Sequence, residues 1–222
     1  MARPKQQNKS AGARAVADTG VETRRERIIE AAAEAFMTDG FAATTVDRVA
    51  DILGCTKGLI YYEFKNKTDL FLEIHKVAMV ANFGVVEPIS QEPISPTDRL
   101  AKMVLAHISA ITDRLPYQRV SVMGIEMQLS GATTPEQRKV LDEIVQMHRD
   151  YEQVFISVLE EGMATGEFRS GDARRRVKPL LGALNWMPMW YRPKHHGGQA
   201  GKKAIVEEML GFVLHGVARN MA

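Results

Sequence analysis

The stretch that decides the fold runs from residue 40 to residue 67 and reads GFAATTVDRVADILGCTKGLIYYEFKNK. Two short segments with helical periodicity lie inside it, on either side of Gly54. The first places Val46, Val49 and Leu53 on one face, and the second ends in aromatic residues. Two short helices joined by a tight turn that contains glycine form a helix-turn-helix, whose second helix enters the major groove of DNA. The pattern therefore predicts a DNA-reading element.

Several side chains of this stretch have the chemistry that DNA contacts require. Hydroxyl groups at helix starts are suited to donate to phosphates, and a lysine that opens the second helix can reach base edges. An adjacent glycine lets the backbone approach DNA closely. Two neighbouring tyrosines lie about 100° apart around a helix, so at least one should face outward. A lysine that opens the next helix is placed to hold a flanking phosphate. The predicted contacts are Thr44, Thr45, Thr56, Lys57, Gly58, Tyr61, Tyr62 and Lys67.

Helical periodicity continues on both sides of this stretch. Upstream, Thr23 and Glu26 form a capping-box pattern before a helix that Gly40 should end. Downstream, a fourth helix begins after Asn66, and three prolines predict a loop over residues 84–97. No segment shows sustained strand alternation, so the sequence predicts an all-α fold of about nine helices. The last five are predicted over about 97–114, 117–130, 135–164, 172–190 and 202–220.

The stretch closely resembles the DNA-binding domain of the TetR family of repressors. The similarity covers about residues 24–70, including Gly-Phe-x-x-Thr-Thr at residues 40–45 and GLIYYEFKNK at residues 58–67. It implies a helix-turn-helix domain over residues 23–68 and a helical ligand-binding and dimerisation domain over residues 69–222. It also implies a homodimer, formed through the last two helices, that binds a palindromic double-stranded operator. Residues 1–22 have no apolar periodicity and are predicted to be a flexible basic tail.

Apolar stripes on the last two predicted helices support that dimer, because a four-helix interface needs such faces. The first stripe includes Leu184 and the second includes Phe212. The same stripes would also suit an ordinary protein core. The full set is Val177, Leu180, Leu181 and Leu184, followed by Ile205, Met209, Phe212, Val213 and Val217.

A second resemblance concerns residues 184–193, which read LNWMPMWYRP. It is similar to the Asn-Trp-x-x-x-Trp-Tyr-Arg-Pro segment of a TetR subgroup that senses acyl-coenzyme A thioesters from lipid, sterol or aromatic catabolism. Trp186 and Trp190 share a helix face, which fits either a pocket or a dimer interface, and Pro188 should kink the helix. Arg192 fits either ligand phosphates or a solvated loop. Methionines suit adaptable cavities as well as cores. The predicted ligand contacts are Phe83, Met123, Met127, Met147, Trp186 and Arg192.

Composition and missing motifs narrow the class of function. The 222 residues carry a net charge of +2 and 45% hydrophobic residues, which is typical of a globular protein. The single cysteine, Cys55, fits a reducing cytoplasm, and no apolar run is long enough to cross a membrane. The sequence contains no nucleophile elbow and no metal-ligand spacing, since His195 and His196 lack a third candidate, so no catalytic residue, cofactor or metal is predicted.

The predicted function is therefore a ligand-responsive repressor that a small molecule, such as an acyl-coenzyme A, releases from its operator. Two alternatives stay open. One is a regulator of the same fold that senses hydrophobic or cationic drugs and controls an efflux pump. The other, less favoured, is a helical enzyme.

Overall fold

The structure is a computed structural model that describes residues 23–130 and 134–218, without the side chains of residues 125–130. The predicted tail over residues 1–22 lies outside this range. Over the described residues the chain forms ten helical segments and one isolated bridge between Phe168 and Ala218, which confirms the all-helical prediction. The segments are α1 (Arg24–Ala43), α2 (Val46–Leu53), α3 (Lys57–Glu63), α4 (Lys67–Ser90), α5 (Pro96–Asp113), α6 (Leu115–Ser130), α7 (Pro135–Thr165), α8 (Ala173–Asn185), α9 (Met187–Trp190) and α10 (Gly198–Val217).

Local sequence sets the ends of the first helices. Thr23 and Glu26 form the predicted capping box, in which each side chain accepts a hydrogen bond from the other residue's backbone N–H. Gly40 has φ 79° and ψ 165°, a conformation that is essentially restricted to glycine, and the regular helix breaks there. Gly54 closes α2 in the left-handed region at φ 64°. These turns set the directions of α1, α2 and α3 relative to one another.

The helix-turn-helix is held by its own apolar core, to which α1, α2, α3, α4 and α6 contribute. Phe36, Phe41 and Phe71 form an aromatic cluster with ring centroids 4.9 to 5.7 Å apart. Ile60 and Phe64 are buried beneath α3. Cys55 is partly buried against the same core, as a packing cysteine would be.

A second, larger core lies between α4, α5, α7, α8, α9 and α10. Helix α4 takes part in both cores: Phe71 and Ile74 belong to the first, and Met79 and Val86 belong to the second. The predicted domain boundary between residues 68 and 69 falls in the first turn of α4. The helix-turn-helix core and the larger helical core therefore share one continuous helix.

Two predicted element boundaries are wrong, and both lie at prolines. The loop predicted over residues 84–97 is helical as far as Ser90, because Pro88 lies in the last turn of α4 and Val86 is completely buried. The single helix predicted over residues 172–190 is two helices that break at Trp186, and Pro188 falls in the first turn of α9, where proline is tolerated. Among the described helices, none is long and apolar enough to cross a membrane.

Candidate functional site

Helix α3 presents its two tyrosines to solvent. The Tyr61 side chain is 51% exposed and that of Tyr62 is 81% exposed, while Ile60 and Phe64 anchor the opposite face in the core. Aromatic rings that stay exposed on a folded helix are available to a partner. The tyrosines therefore offer hydroxyl groups and ring faces on the side of α3 that points away from the protein.

The starts of α2 and α3 add polar groups to this surface. Thr56, Lys57 and Gly58 are all exposed, and the Thr56 hydroxyl accepts no capping hydrogen bond. The Lys57 ammonium lies 3.3 Å from the Asp47 carboxylate, and an exposed ion pair of this kind contributes only about 0–1 kcal/mol. Lys57 can therefore exchange that partner for DNA. Thr45 is exposed at the N-cap of α2, where its hydroxyl oxygen accepts a backbone N–H and its proton stays available.

Thr44 has a structural task instead of the predicted phosphate contact. Its side chain is completely buried, and its hydroxyl lies 2.7 Å from the Gly40 carbonyl and 3.2 Å from the Ala35 carbonyl. The Thr44 backbone N–H also donates to the Gly40 carbonyl, at 3.1 Å, so backbone and side chain together cap the end of α1. The sequence predicted Thr44 as an exposed phosphate contact. In the structure it is instead a buried residue that stabilises the domain.

Lys67 also turns inward. Its ammonium donates to the carbonyls of Phe41 at 2.7 Å, Thr44 at 2.9 Å and Ala42 at 3.3 Å, and it lies 4.5 Å from the centre of the Phe41 ring. An ammonium group has three N–H donors, and these contacts supply an acceptor for each. The structure therefore replaces the predicted phosphate contact of Lys67 with a cap on the carboxyl end of α1.

The larger helical part of the chain contains a cavity of about 50 Å³ where α4, α5, α6, α7, α8 and α9 meet. Asn82 on α4 and Gln118 on α6 exchange two hydrogen bonds beside it, at 3.1 and 2.7 Å. Four of the lining residues are apolar and the other six are polar but carry no acidic or strongly basic group. The polar lining consists of Asn82, Gln118, Ser121, His148, Tyr151 and Asn185.

Two lining residues, Tyr151 and His148, each contact a buried histidine ring. His107 Nδ1 lies 2.6 Å from the Tyr151 hydroxyl, and His75 Nε2 lies 3.0 Å from His148 Nε2. Burial lowers the pKa of His107 to about 4, with Asn185 opposing it in part, and burial together with His148 lowers the pKa of His75 to about 3. Burial also lowers the pKa of His148 and raises that of Tyr151. The cavity surroundings are therefore uncharged at neutral pH.

The residues that the sequence predicted as ligand contacts do not line this cavity. Phe83 lies in a separate open groove of about 400 Å³ between α4, α5 and α7. Met123 packs against the first core and Met147 against the second. Trp186 is 58% exposed, and the side chain of Met127 lies outside the described residues. Met123 and Met147 thus pack against cores, which is the usual place of methionine at helical spacing.

The polar lining residues were missed because single Asn, Gln and Ser residues do not stand out in a helical sequence. One signal could have found them. Asn82 lies in register with Met79 and Val86, at spacings of three and four residues, so it occupies the buried stripe of α4. A polar residue on an apolar stripe predicts a buried hydrogen-bonding site.

Two arginines hold the α9 wall of the cavity. Arg119 donates from Nε to the Pro188 carbonyl at 2.9 Å and from Nη2 to the Tyr191 carbonyl at 3.4 Å. Arg192 donates from Nη1 to the Tyr191 carbonyl at 2.9 Å. Each guanidinium carries five N–H groups, so donors remain after these bonds. Neither arginine is among the residues that line the cavity. The sequence predicted Arg192, but not Arg119, as a ligand contact, and this stays a prediction.

Comparisons with known proteins identify the family. A family model described as "Tetracyclin repressor-like, C-terminal domain" matches residues 93–217, and one described as "Bacterial regulatory proteins, tetR family" matches residues 28–74. The chain belongs to the TetR family. The HTH-type transcriptional repressor KstR2 of Mycolicibacterium smegmatis is 27% identical over 199 residues, which are 89% of this chain and 92% of that protein.

Solved TetR-family structures share the fold. PfmR from Thermus thermophilus superimposes with a TM-score of 0.74 at 26% identity, covering 87% of this chain and 100% of that one. AibR, in a complex with isovaleryl coenzyme A and operator DNA, superimposes with a TM-score of 0.71 at 21% identity, covering 86% and 97%. As a member of this family, the chain is a DNA-binding transcriptional repressor and not an enzyme. In the part of the chain that the structure describes, no three metal-binding side chains form a cluster.

The apolar stripes that the sequence predicted as a dimer interface differ from the prediction in one respect. The apolar stripe of α8, including Val177 and Leu184, is buried in the core of its own protomer. Phe212 on α10 is 63% exposed, and Trp186 and Trp190 are exposed around α9. A charge at Leu184 would therefore disrupt folding itself, whereas Phe212 lies on the surface of the protomer.

Proposed function

We propose that this TetR-family repressor is a homodimer that binds a palindromic operator and is released from it by an acyl-coenzyme A thioester. The observation that carries the effector proposal is an uncharged polar cavity beside two arginines, Arg119 and Arg192, which lie outside its lining and donate to carbonyls of α9 and of the residue that follows it. The cavity suits a small uncharged group of the acyl part of such a molecule, and the arginines suit the phosphates of its nucleotide.

The dimer rests on exposed apolar side chains at the end of the chain. Phe212, Trp186 and Trp190 present large hydrophobic surfaces to solvent, and residues of this type are enriched at interfaces. An interface around a two-fold axis would relate the α3 helices of two protomers. Two such helices match half-sites about 34 Å apart, one turn of DNA.

The absence of charged side chains from the cavity lining favours one class of effector. A cationic drug would require carboxylates in the lining, and none of the lining residues provides one. A free fatty or aromatic acid would bring a carboxylate that no lysine or arginine of the lining neutralises. The thioester of the same acid has a neutral carbonyl there and carries its charges on the distant nucleotide. The structural neighbour AibR was solved with an acyl-coenzyme A and operator DNA.

Release of DNA would pass through α4. Met79 and Asn82 line the cavity from α4, and Lys67 at its first turn caps the end of α1. An acyl group larger than the cavity must separate the surrounding helices. A shift of α4 then moves both helix-turn-helix units and spoils their match to successive major grooves.

The proposal is tested by following operator release with fluorescence anisotropy. The DNA is the promoter region of the repressor's own gene, and the probes are acyl-coenzyme A thioesters with the matching free acids and coenzyme A alone. Thioesters should release DNA at concentrations at least ten times lower than their acids. Arg119→Gln with Arg192→Gln should weaken the thioester response, while Arg149→Gln, an exposed residue of α7, serves as the matched control. Equal potency of acid and thioester would contradict the proposal.

A further inference from the structure

The lining of the cavity also indicates which group of the effector enters it. This inference rests on the proposed function of the cavity as the effector site. Among the lining residues that the structure describes, none is a lysine, arginine, aspartate or glutamate. His148 has a lowered pKa and is neutral at pH 7. A charged group moved into such a place would lose its hydration without gaining a counter-charge, at a cost of several kcal/mol or more.

The same lining has hydrogen-bonding capacity that its internal contacts do not use. Asn82 and Gln118 each use one N–H and the carbonyl oxygen of the side-chain amide in the two hydrogen bonds between them. A carboxamide has two N–H donors, so each residue keeps one. Ser121, on the same helix as Gln118, adds a hydroxyl to the lining. An entirely hydrocarbon ligand would bury these groups against carbon and leave them unpaired, which is costly.

The buried pair of His107 and Tyr151 gives the second, independent observation. His107 is buried, its Nδ1 lies 2.6 Å from the Tyr151 hydroxyl, and Asn185 is its other polar neighbour. If Nδ1 carries the proton, it donates to the tyrosine oxygen, and the tyrosine proton is then free for a ligand in the cavity. In that tautomer Tyr151 is a hydrogen-bond donor that faces the ligand.

We propose that the cavity binds a neutral carbonyl oxygen of the effector, held by Tyr151 and by the spare amide donors of Asn82 and Gln118. The cavity of about 50 Å³ has room for roughly three water molecules, so it fits a small oxygenated group and not a whole acyl chain. A carbonyl is a pure acceptor and matches a wall that offers several donors. The effector is therefore an acyl compound whose acyl part carries a carbonyl group. That carbonyl lies between α4 and α6 when the effector is bound.

The test uses three fragments of similar size on the full-length protein. Cyclohexanone carries the carbonyl, methylenecyclohexane replaces its oxygen by CH₂, and cyclohexanecarboxylate carries a charge. Dissociation constants are measured by ligand-observed saturation-transfer NMR. Cyclohexanone should bind at least ten times more tightly than methylenecyclohexane, and the carboxylate should not bind. Equal binding of the ketone and the alkene, or preferred binding of the carboxylate, would overturn the inference.

Variants of the lining residues test whether the ketone binds in this cavity. Replacing Asn82→Leu together with Gln118→Leu removes both members of the amide pair, so neither is left unpaired. This variant should lose the preference for the ketone while still binding methylenecyclohexane, a result that simple unfolding would not give. Tyr151→Phe should reduce the ketone preference on its own, which keeps the test valid if the double variant does not fold. Gln146→Leu, an exposed residue of α7, is the matched control and should keep the preference.

The outcome is separable from that of the proposed function. If thioesters release the operator but no fragment distinguishes ketone from alkene, the carbonyl site is wrong and the effector class stands. If the ketone is preferred and no thioester releases the operator, the carbonyl site stands and the effector class is wrong.

Discussion

Replacing Lys67→Met tests whether this lysine supports the protein or holds DNA. The substitution keeps the aliphatic stem and removes the ammonium that caps three carbonyls and lies over Phe41. A hydrogen bond to a charged group contributes about 1.5–3 kcal/mol, and a partly exposed cation–π contact about 0.5–1 kcal/mol. Lys67 is half-buried and one ammonium serves all three carbonyls, so these contributions do not add fully. We expect the free energy of unfolding to fall by about 2–3 kcal/mol.

Two measurements on the same variant separate the two roles. The melting temperature should fall by about 4–12 °C, given about 2–4 °C for each kcal/mol in a chain of this size. The dependence of operator affinity on salt should stay unchanged, whereas loss of a phosphate contact would reduce its logarithmic slope by about 0.9. Lys57→Met is the control, because its ammonium has only an exposed partner, and it should weaken operator binding without lowering the melting temperature. A variant of Lys67 with normal stability and a reduced salt slope would refute the capping role.

Three further predictions concern the turn, the dimer and pH. Gly40→Ala should lower the free energy of unfolding in urea by about 1–3 kcal/mol through backbone conformation alone, because a methyl group there meets no neighbour within 4 Å; an unchanged midpoint would contradict this. Phe212→Asp should give monomers in sedimentation, whereas Val80→Asp, also an exposed apolar residue, should leave the dimer intact. Stability should fall as pH drops from 6.5 toward 5, because the unfolded chain protonates its histidines near 6.5 while folded His107 and His75 stay neutral down to about 4 and 3. A urea midpoint that does not differ between pH 7 and pH 5 would rule this out.

Much of the DNA-reading part could be predicted from the sequence because local rules govern it. A capping box at Thr23, a left-handed glycine at Gly54 and an asparagine cap at Asn66 each act within four residues of their position. The adjacent tyrosines on α3 could be placed outside by helix geometry alone. Thr44 and Lys67 were misplaced, because their partners are carbonyls that become available only when α1 breaks at Gly40 and α4 packs beside it.

The sensing part was less predictable because it depends on contacts between distant segments. Asn82 and Gln118 are 36 residues apart, and His107 and Tyr151 are 44 residues apart. The pattern of one helix can show that a polar residue such as Asn82 is buried, but it does not identify the partner on another helix. Prolines also misled the prediction, since α4 continues through Pro88 although proline removes a hydrogen bond there, and the packing of buried neighbours such as Val86 outweighs that loss.

The continuity of α4 through both cores limits how this repressor can be recombined with others. A hybrid that joins its DNA reader to another sensor has no loop at which to be cut, so the junction must lie within a helix. One inserted residue would turn the reader by about 100° and move it by about 1.5 Å relative to the sensor. Seven inserted residues, about two turns, would restore the rotation but shift the reader by about 10 Å. Engineers who exchange sensors on this scaffold should therefore conserve the residue count of α4 between Lys67 and Met79 and vary the chain beyond it.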